Sequence, residues 1–398
     1  MRHRRMAILG GGPVGLAGLL KARAEGWDAH LYERGSLGEN VRAWGHVRMF
    51  SPAGMNLLEP ALASRESDGD PDRLLTGAEY VERHLEPLAR RPELAGRVHT
   101  GSEVVVVSRD RLRKGDEIAS PGRARRPFRL LIRDEAGERA ADADVVLDAT
   151  GTFATPNWLG DGGIPAVGER ALCNAVDYRL PDIAGVERHL FAGRRTLVVG
   201  AGHSAATAIV WLAEIAREER ETRVTWVTRS ASTRPVAEVA ADPLAERARV
   251  AGAANDLARG APWLTRITDA ALVEVRREGA GLAAAVADPA GTSWIAADRL
   301  LALVGYRPDL QLARELQVQT CWATEGTYPL AAALLGQEPA AAADCLRAGG
   351  FGARTLVHPE PGFFTLGAKS YGRNSSFLIQ TGVRQVQEVF ELLGDRAA

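Results

Sequence analysis

Three glycines close to the N-terminus have the spacing of a nucleotide-binding turn. Gly10, Gly12 and Gly15 fit the pattern G-x-G-x-x-G and follow a short apolar run at residues 6–9. In this pattern the first glycine makes the turn, the second lets the backbone approach a pyrophosphate, and the third lets the helix pack on the strand. The helix expected from Pro13 and Val14 onward directs free N–H groups at the phosphates. We therefore predict that this first glycine turn (residues 10–15) binds a dinucleotide and is not an incidental turn.

The strand after this helix ends in an acidic residue. Glu33, followed by Arg34, stands about 20 residues after the turn, where a carboxylate accepts hydrogen bonds from a ribose diol. The sequence therefore indicates a dinucleotide whose ribose carries no 2′-phosphate.

The same pattern occurs again at residues 200–205, the second glycine turn. Gly200 and Gly202 repeat the turn, and Ala205 replaces the third glycine, as the motif allows. Between them stand His203, which we expect to pack in the turn, and Ser204, whose hydroxyl can cap the helix.

The second turn has a different strand end. The strand predicted at residues 224–228 is followed by Arg229, which we place at the position of Glu33, and Arg234 lies nearby. A guanidinium pairs with a 2′-phosphate that a carboxylate would repel, so this turn is predicted to bind NADPH. The alternative is a solvated arginine at a strand end. Two unlike turns in one chain indicate two cofactors and hydride transfer between them.

Several further segments resemble one family of flavoproteins. Ala149, Thr150 and Gly151 resemble its strand end where the chain leaves the FAD domain, and Gly305, Tyr306 and Arg307 its return crossing. The C-terminal segment that contains Gly367, Lys369 and Ser376 is similar to its last flavin-contacting segment. The chain thus resembles the two-dinucleotide-binding-domain flavoproteins (the pyridine nucleotide–disulfide oxidoreductase superfamily), and most closely the flavin-containing and N-hydroxylating monooxygenases.

That resemblance implies the fold class and the cofactors. It implies an α/β protein with two Rossmann-like (doubly wound, three-layer) domains, the second inserted in the first. An FAD-binding domain would comprise residues 1–155 and 311–398, an NADPH-binding domain residues 190–310, and a connecting segment residues 156–189. Alternating apolar segments after each glycine turn predict two small meanders, at 102–108, 127–133 and 144–150 and at 271–277, 281–287 and 299–305. The basic stretch 109–129 is expected to be a solvated loop, or else a partner-binding one.

The sequence determines the branch of the family less clearly than it determines the family itself. Disulfide reductases of this family use a closely spaced cysteine pair, and Cys173, Cys321 and Cys345 do not form one. Trp44 stands where the monooxygenases carry a segment that wraps the flavin, although it is equally a core candidate. Against close membership of the flavin-containing and Baeyer–Villiger groups, Phe191 and Gly193 are present but Leu197 replaces the signature histidine, and Tyr178 lacks its usual companions.

Lys369 is unusual because the chain has only two other lysines, Lys21 and Lys114. We predict a helix at residues 375–393, capped by Ser375 or Asn374, whose positive end faces the flavin. Lys369 beside it would stabilise the anionic reduced flavin or bind the ribityl-phosphate side. The alternative is a lysine turned to solvent.

The function expected from the resemblance is that of an FAD- and NADPH-dependent monooxygenase. It would act on a small molecule with molecular oxygen through a flavin C4a-hydroperoxide. The alternatives are an NAD(P)H-dependent flavin reductase or oxidase and a flavin-binding partner protein without activity. The candidate catalytic residues are Lys369, Arg48, Ser51 and Tyr371, and the further pocket candidates are Asn56 and Arg373. His46 and His203 are acid/base candidates, although a structural role is the preferred interpretation of each.

Composition limits the remaining possibilities. The net charge of −1 over 398 residues gives no footprint for nucleic acid or an anionic membrane. The cysteines have no zinc spacing, so no metal is expected, and they suit a reducing cytoplasm. The basic, apolar start would pass for a signal peptide except that its glycines fit the turn better. No apolar run is long enough to span a membrane. A homodimer is possible, and the substrate depends on residues 36–75 and 320–360.

Overall fold

The computed structural model describes residues 4–58, 70–337 and 351–395. Cys345 and parts of the segments 36–75 and 320–360 lie outside the described residues. In chain order the strands are β1 (Arg5–Leu9), β2 (Asp28–Tyr32), β3 (Val98–His99), β4 (Glu103–Arg109), β5 (Phe128–Asp134), β6 (Gly137–Ala143), β7 (Val145–Asp148), β8 (Arg195–Val199), β9 (Arg223–Val227), β10 (Leu264–Ile267), β11 (Ala271–Glu278), β12 (Gly281–Asp288), β13 (Gly291–Ala297), β14 (Arg299–Ala302) and β15 (Phe363–Thr365).

The helices connect and cover these strands. They are α1 (Pro13–Ala24), α2 (Glu39–Ala43), α3 (Gly77–Tyr80), α4 (Glu86–Ala89), α5 (Pro121–Ala124), α6 (His203–Glu218), α7 (Ala245–Leu257), α8 (Tyr328–Leu335), α9 (Ala368–Tyr371) and α10 (Ile379–Asp395). None of the helices in the described ranges is both long and apolar enough to cross a membrane.

The chain divides into two compact units. Unit 1 comprises Met1–Thr155 and Arg307–Ala398, and unit 2 comprises Pro156–Tyr306. The segment 156–189, which the sequence suggests as a connector, lies within unit 2. Unit 1 has a parallel sheet in the order β15-β7-β1-β2-β3, and unit 2 a parallel sheet in the order β10-β9-β8-β14. The protein is therefore an α/β protein with two Rossmann-like domains, one inserted in the other.

Each unit also has a three-stranded antiparallel sheet, and here the sequence prediction was partly wrong. The third meander strands are β6 and β13, whereas 144–150 and 299–305 contain β7 and β14 of the parallel sheets. β6 was missed because its first four side chains are exposed and carry little apolar signal. β7 is buried throughout, as a central parallel strand must be.

The basic stretch 109–129 is not simply a solvated loop. Arg109 and Arg123 are buried against the carboxylate of Glu360, which is itself fully buried. Arg109 Nε donates to Glu360 Oε1 at 2.6 Å, Arg123 Nη2 donates to Oε2 at 2.8 Å, and the backbone N–H of Gln317 donates to Oε2 at 2.8 Å. These contacts attach the β4–β6 sheet to the segment that leads into β15. The sequence did not reveal them because the partners are more than 200 residues apart.

Candidate functional site

The first glycine turn has the geometry that its spacing predicts. Gly10 has φ of +99°, and a Cβ there would lie 2.6 Å from the carbonyl oxygen of Ala149. A Cβ on Gly15 would lie 1.9 Å from the carbonyl oxygen of Gly10, so helix and strand approach as closely as backbone allows. Around Gly12 the space is open, and no side chain caps the start of α1. The backbone at Gly12 is therefore accessible to an anion.

The carboxylate of Glu33 stabilises this turn by accepting backbone hydrogen bonds. Its Oε2 accepts from the backbone N–H of Gly11 at 2.6 Å, and its Oε1 accepts from that of Gly35 at 2.9 Å. Each carboxylate oxygen keeps a further lone pair, so the side chain can still accept from a ribose hydroxyl. Of the neighbouring candidates, Arg34 is exposed, whereas Val14 is buried and packs 3.3 Å from the position of a Cβ on Gly367.

A buried charged cluster lies at the carboxyl end of β7 beside this turn. Lys369 Nζ stands 2.7 Å from Asp148 Oδ2, and both side chains are almost fully buried. Lys369 also donates to Thr150 Oγ1 at 2.9 Å, and Thr150 Oγ1 donates to Asp148 Oδ1 at 2.7 Å. The alternative of a lysine turned to solvent is therefore wrong. The neighbouring strand β15 places Thr365 directly opposite Asp148.

His358 extends this cluster and was not found from the sequence. The backbone N–H of Gln319 donates to its Nδ1 at 3.4 Å, so Nε2 carries the proton toward Thr365 Oγ1 at 3.0 Å. Burial lowers the pKa of His358 to about 4. The ring is therefore neutral near pH 7. Nothing in the local sequence marks His358 or Asp148 as polar core residues.

The C-terminal helix begins later than predicted. α10 starts at Ile379, and Asn374 Oδ1 accepts from the backbone N–H of Ser376 in the preceding loop rather than capping the helix. Gly367 is held through its N–H, which donates to Gln385 Oε1 at 2.8 Å. Asn374 therefore orders the loop, and Ser375 and Ser376 precede the helix.

The structure gives most of the other unit 1 candidates internal partners. Ser51 Oγ donates to Asn56 Oδ1 at 3.0 Å, and the hydroxyl of the fully buried Tyr80 donates to the carbonyl of Asn56 at 2.7 Å. A structural role accounts for the contacts of Ser51 and Asn56. The buried Tyr371 packs its ring on Phe377, with centroids 5.5 Å apart.

The remaining candidates in unit 1 are closer to the surface. Arg48 is exposed and donates to the carbonyl of Leu74 at 3.0 Å, and Arg373 Nε donates to Glu325 Oε2 at 3.0 Å. Trp44 is half-buried and contacts Phe153, with ring centroids 6.4 Å apart. Ala149 and Gly151 flank Thr150 at the end of β7, and His46 lies between Trp44 and Arg48 in the segment after α2.

The second glycine turn repeats the first in unit 2. Gly200 has φ of +121°, and a Cβ there would lie 2.2 Å from the carbonyl oxygen of Leu303. The space around Gly202 is open, and Ala205 is fully buried where the helix meets the strand. Ser204 does not cap the helix as predicted, because α6 already begins at His203 and Gly202 is its N-cap. Burial, followed by the charge of Arg247, lowers the pKa of His203.

The strand end of the second turn differs from the prediction by one residue. The N–H of Gly10 donates to the carbonyl of Tyr32, and the N–H of Gly200 donates to that of Val227. The counterpart of Glu33 is therefore Thr228. Arg229 is one residue further along and exposed, at the position of Arg34. The prediction that the second turn lacks the carboxylate remains correct.

Two other arginines surround this strand end. Arg234 Nε donates to Glu238 Oε2 at 2.9 Å, so a carboxylate already compensates its charge. Arg266 on β10, which the sequence analysis missed, donates from Nη2 to Thr228 Oγ1 at 3.3 Å and to the carbonyl of Ser232 at 2.8 Å. No local motif marks Arg266, because parallel pairing with β9 brings it to the turn.

The three residues of the return crossing, Gly305 to Arg307, are held by hydrogen bonds within their own units. Gly305 has φ of +83°, and its carbonyl accepts from the N–H of Asn157 at 3.0 Å. The hydroxyl of Tyr306 donates to the carbonyl of Tyr178 at 2.9 Å, and burial raises its pKa to about 12. In unit 1, the N–H of Arg307 donates to the carbonyl of Thr155 at 2.9 Å.

The sequence matches one protein-family model over most of its length. The family model for pyridine nucleotide-disulphide oxidoreductases matches residues 4–325. No curated protein matches the sequence.

Solved structures with the same fold cover nearly the whole chain. The bacillithiol disulfide reductase from Bacillus cereus has a TM-score of 0.72 at 17% identity, with 99% of this chain and 100% of that one covered. The ornithine N-hydroxylase from Kutzneria sp. 744 has a TM-score of 0.61 at 17% sequence identity. The thioredoxin reductase from T. acidophilum has a TM-score of 0.59 at 15% identity. In both comparisons 100% of each chain is covered. At these identities the likeness establishes the fold and does not choose between reductase and hydroxylase.

Proposed function

The chain belongs to the pyridine nucleotide-disulphide oxidoreductase family, and from this premise we propose that it is an FAD- and NADPH-dependent oxidoreductase acting on a small molecule. The observation that carries the proposal is the contrast between its two glycine turns. The first has a carboxylate, Glu33, at its strand end, and the second has Thr228 with Arg266 against it. A free ribose diol fits the first end, and a phosphorylated ribose fits the second.

The residues of unit 1 fit FAD. The open backbone at Gly12 and the uncapped start of α1 would hold the pyrophosphate, and Glu33 would accept from the ribose. Thr150 and Lys369, at the carboxyl end of β7, lie where ligands bind in open α/β sheets. When bound, the flavin supplies hydride acceptance from a nicotinamide and electron transfer to a further acceptor.

The residues of unit 2 fit NADPH by the same argument. Gly202 leaves the start of α6 open to a pyrophosphate, and no side chain caps that helix. The neutral Thr228 removes the repulsion that a carboxylate would impose on a 2′-phosphate.

For the onward chemistry we propose substrate oxygenation. The two cysteines within the described residues, Cys173 in unit 2 and Cys321 in unit 1, are both free thiols. Disulfide reduction by a closely spaced pair therefore has no support in that part of the chain. In the oxygenation proposal, buried side chains such as Tyr371 and Lys369 exclude water from the reacting region.

An NAD(P)H-dependent flavin reductase or oxidase is the second candidate. Leu197, which stands where the monooxygenase signature has histidine, is packed in the core of β8. Tyr178, from the same signature region, donates to the buried carboxylate of Glu169 at 2.7 Å and so has a structural role. These observations favour a chain that reduces oxygen without transferring an oxygen atom to a substrate.

Rapid mixing tests the two candidates. The FAD-loaded protein is reduced anaerobically with NADPH and then mixed with oxygenated buffer while the flavin spectrum and hydrogen peroxide are recorded. Substrate oxygenation predicts a transient absorbance band between the reduced and oxidised spectra, with delayed peroxide. Direct return to the oxidised spectrum with one peroxide per flavin supports the second candidate. A protein that does not bind FAD contradicts the whole proposal.

A further inference from the structure

We infer that Arg266 is the residue that selects NADPH over NADH at the second glycine turn, by pairing with the 2′-phosphate. This specificity role rests on the proposed binding of a nicotinamide dinucleotide in unit 2.

The position of Arg266 follows from strand pairing. β10 runs parallel to β9, and Arg266 is the direct neighbour of Trp226, the residue two before Thr228. Its guanidinium carbon lies 6.0 Å from the centroid of the Trp226 ring. From there the side chain extends to the strand end, where Nη2 contacts Thr228 Oγ1 and the carbonyl of Ser232. The guanidinium of Arg266 therefore reaches the segment after β9, where Thr228 occupies the position that Glu33 occupies in unit 1.

No carboxylate in the part of the chain that the structure describes compensates the charge of Arg266. Its guanidinium makes no ion pair with any carboxylate in residues 4–58, 70–337 and 351–395, and its buried Nε has no hydrogen-bond acceptor there. Burial lowers the pKa of Arg266, as expected for a cation that loses water without gaining an anion. A partly buried guanidinium without a carboxylate is costly unless a ligand supplies the negative charge.

The other arginines at this strand end are less suited to the role. Arg234 is already paired with Glu238. Arg229 is exposed, so water screens its charge. Arg266 is partly buried and has no ion pair with a carboxylate of the described residues, and its planar guanidinium matches the oxygens of a phosphate in a bidentate manner.

The test is the affinity of the FAD-loaded protein for NADP⁺ and NAD⁺, measured by isothermal titration calorimetry on the wild type and Arg266→Met. We expect Arg266→Met to weaken NADP⁺ binding about tenfold to hundredfold, the range for a charge-assisted contact, and to leave NAD⁺ within about twofold. Arg277→Met is the matched control, since Arg277 is an exposed arginine of β11 in the same unit. It should change neither affinity.

Each other outcome has a distinct meaning. Equal loss of NADP⁺ and NAD⁺ affinity, or no loss of either, overturns the role of Arg266 while the proposed function stands. A wild type that binds neither nucleotide overturns the proposed function itself. If Arg266→Met does not fold, Arg266→Lys keeps the charge and the stem. Its NADP⁺ affinity should then fall by a smaller factor, with NAD⁺ unchanged, and an unchanged NADP⁺ affinity overturns the inference.

Discussion

Lys369 and Asp148 form a buried ion pair, with 2.7 Å between Nζ and Oδ2, although they are far apart in the sequence. The pair joins α9 to the end of β7, and Thr150 contacts both side chains. The ammonium of this lysine is thus buried against one carboxylate and one hydroxyl, as suits a compact point charge.

The first prediction concerns stability. Lys369→Met leaves the carboxylate of Asp148 buried without its cation, and breaking a buried pair in this way costs about 3–5 kcal/mol. The free energy of unfolding, measured by urea denaturation, should fall by that amount. The double variant Lys369→Met/Asp148→Asn should recover a large part of it, because no uncompensated charge remains. Equal destabilisation of the single and double variants would argue against the pair.

The second prediction concerns the flavin potential. If Lys369 stabilises the anionic reduced flavin, Lys369→Met should lower the midpoint potential of the FAD-loaded protein, since a positive charge near the reduced ring is lost. Adding Asp148→Asn should return the potential toward that of the wild type. Dye-coupled reduction followed by absorbance measures it. A potential that is unchanged or higher in Lys369→Met excludes this role for the lysine.

The third prediction concerns pH. Burial lowers the pKa of His358 from 6.5 to about 4, so the unfolded chain binds more protons than the folded chain between those values. The stability due to the neutral ring is complete above pH 6.5 and is lost as the pH falls toward 4, by about 3 kcal/mol.

His358→Gln removes the titrating group and is the variant that isolates this effect. Its stability, measured by denaturation at a series of pH values, should fall less than that of the wild type between pH 6.5 and 4. Parallel curves for the two proteins would contradict the assignment to His358.

The fourth prediction separates the two glycine turns. Gly12 and Gly202 are equivalent positions with open space, so an added methyl group leaves folding unaffected but blocks the approach of a pyrophosphate. Gly12→Ala should lose FAD, whereas Gly202→Ala should keep FAD and lose reduction by NADPH. Flavin absorbance after gel filtration and anaerobic NADPH titration measure the two effects. Loss of flavin in Gly202→Ala alone would reverse the assignment of the turns.

Gly15→Ala provides the contrast to Gly12→Ala. Its methyl group would lie 1.9 Å from the carbonyl oxygen of Gly10, so unit 1 itself should be destabilised. A melting temperature equal to that of Gly12→Ala would contradict the close packing of α1 on β1.

The sequence by itself determined the two glycine turns, the parallel strands beside them and the family, because these signals are local. Gly10, Gly15 and Gly200 are required by backbone approaches that no other residue permits. The position of Glu33 was also predictable from the sequence, because this residue comes directly after the last residue of β2.

Only the tertiary structure decided the partners of the charged side chains. The ion pairs of Lys369 with Asp148 and of Arg109 and Arg123 with Glu360 join residues that are distant in the chain, and sheet pairing brings Arg266 to Thr228. The counterpart of Glu33 was assigned one residue too late because strand register is set by inter-strand hydrogen bonds rather than by the sequence pattern. Long-range contacts of this kind produce no periodic pattern in the sequence around the residues that form them.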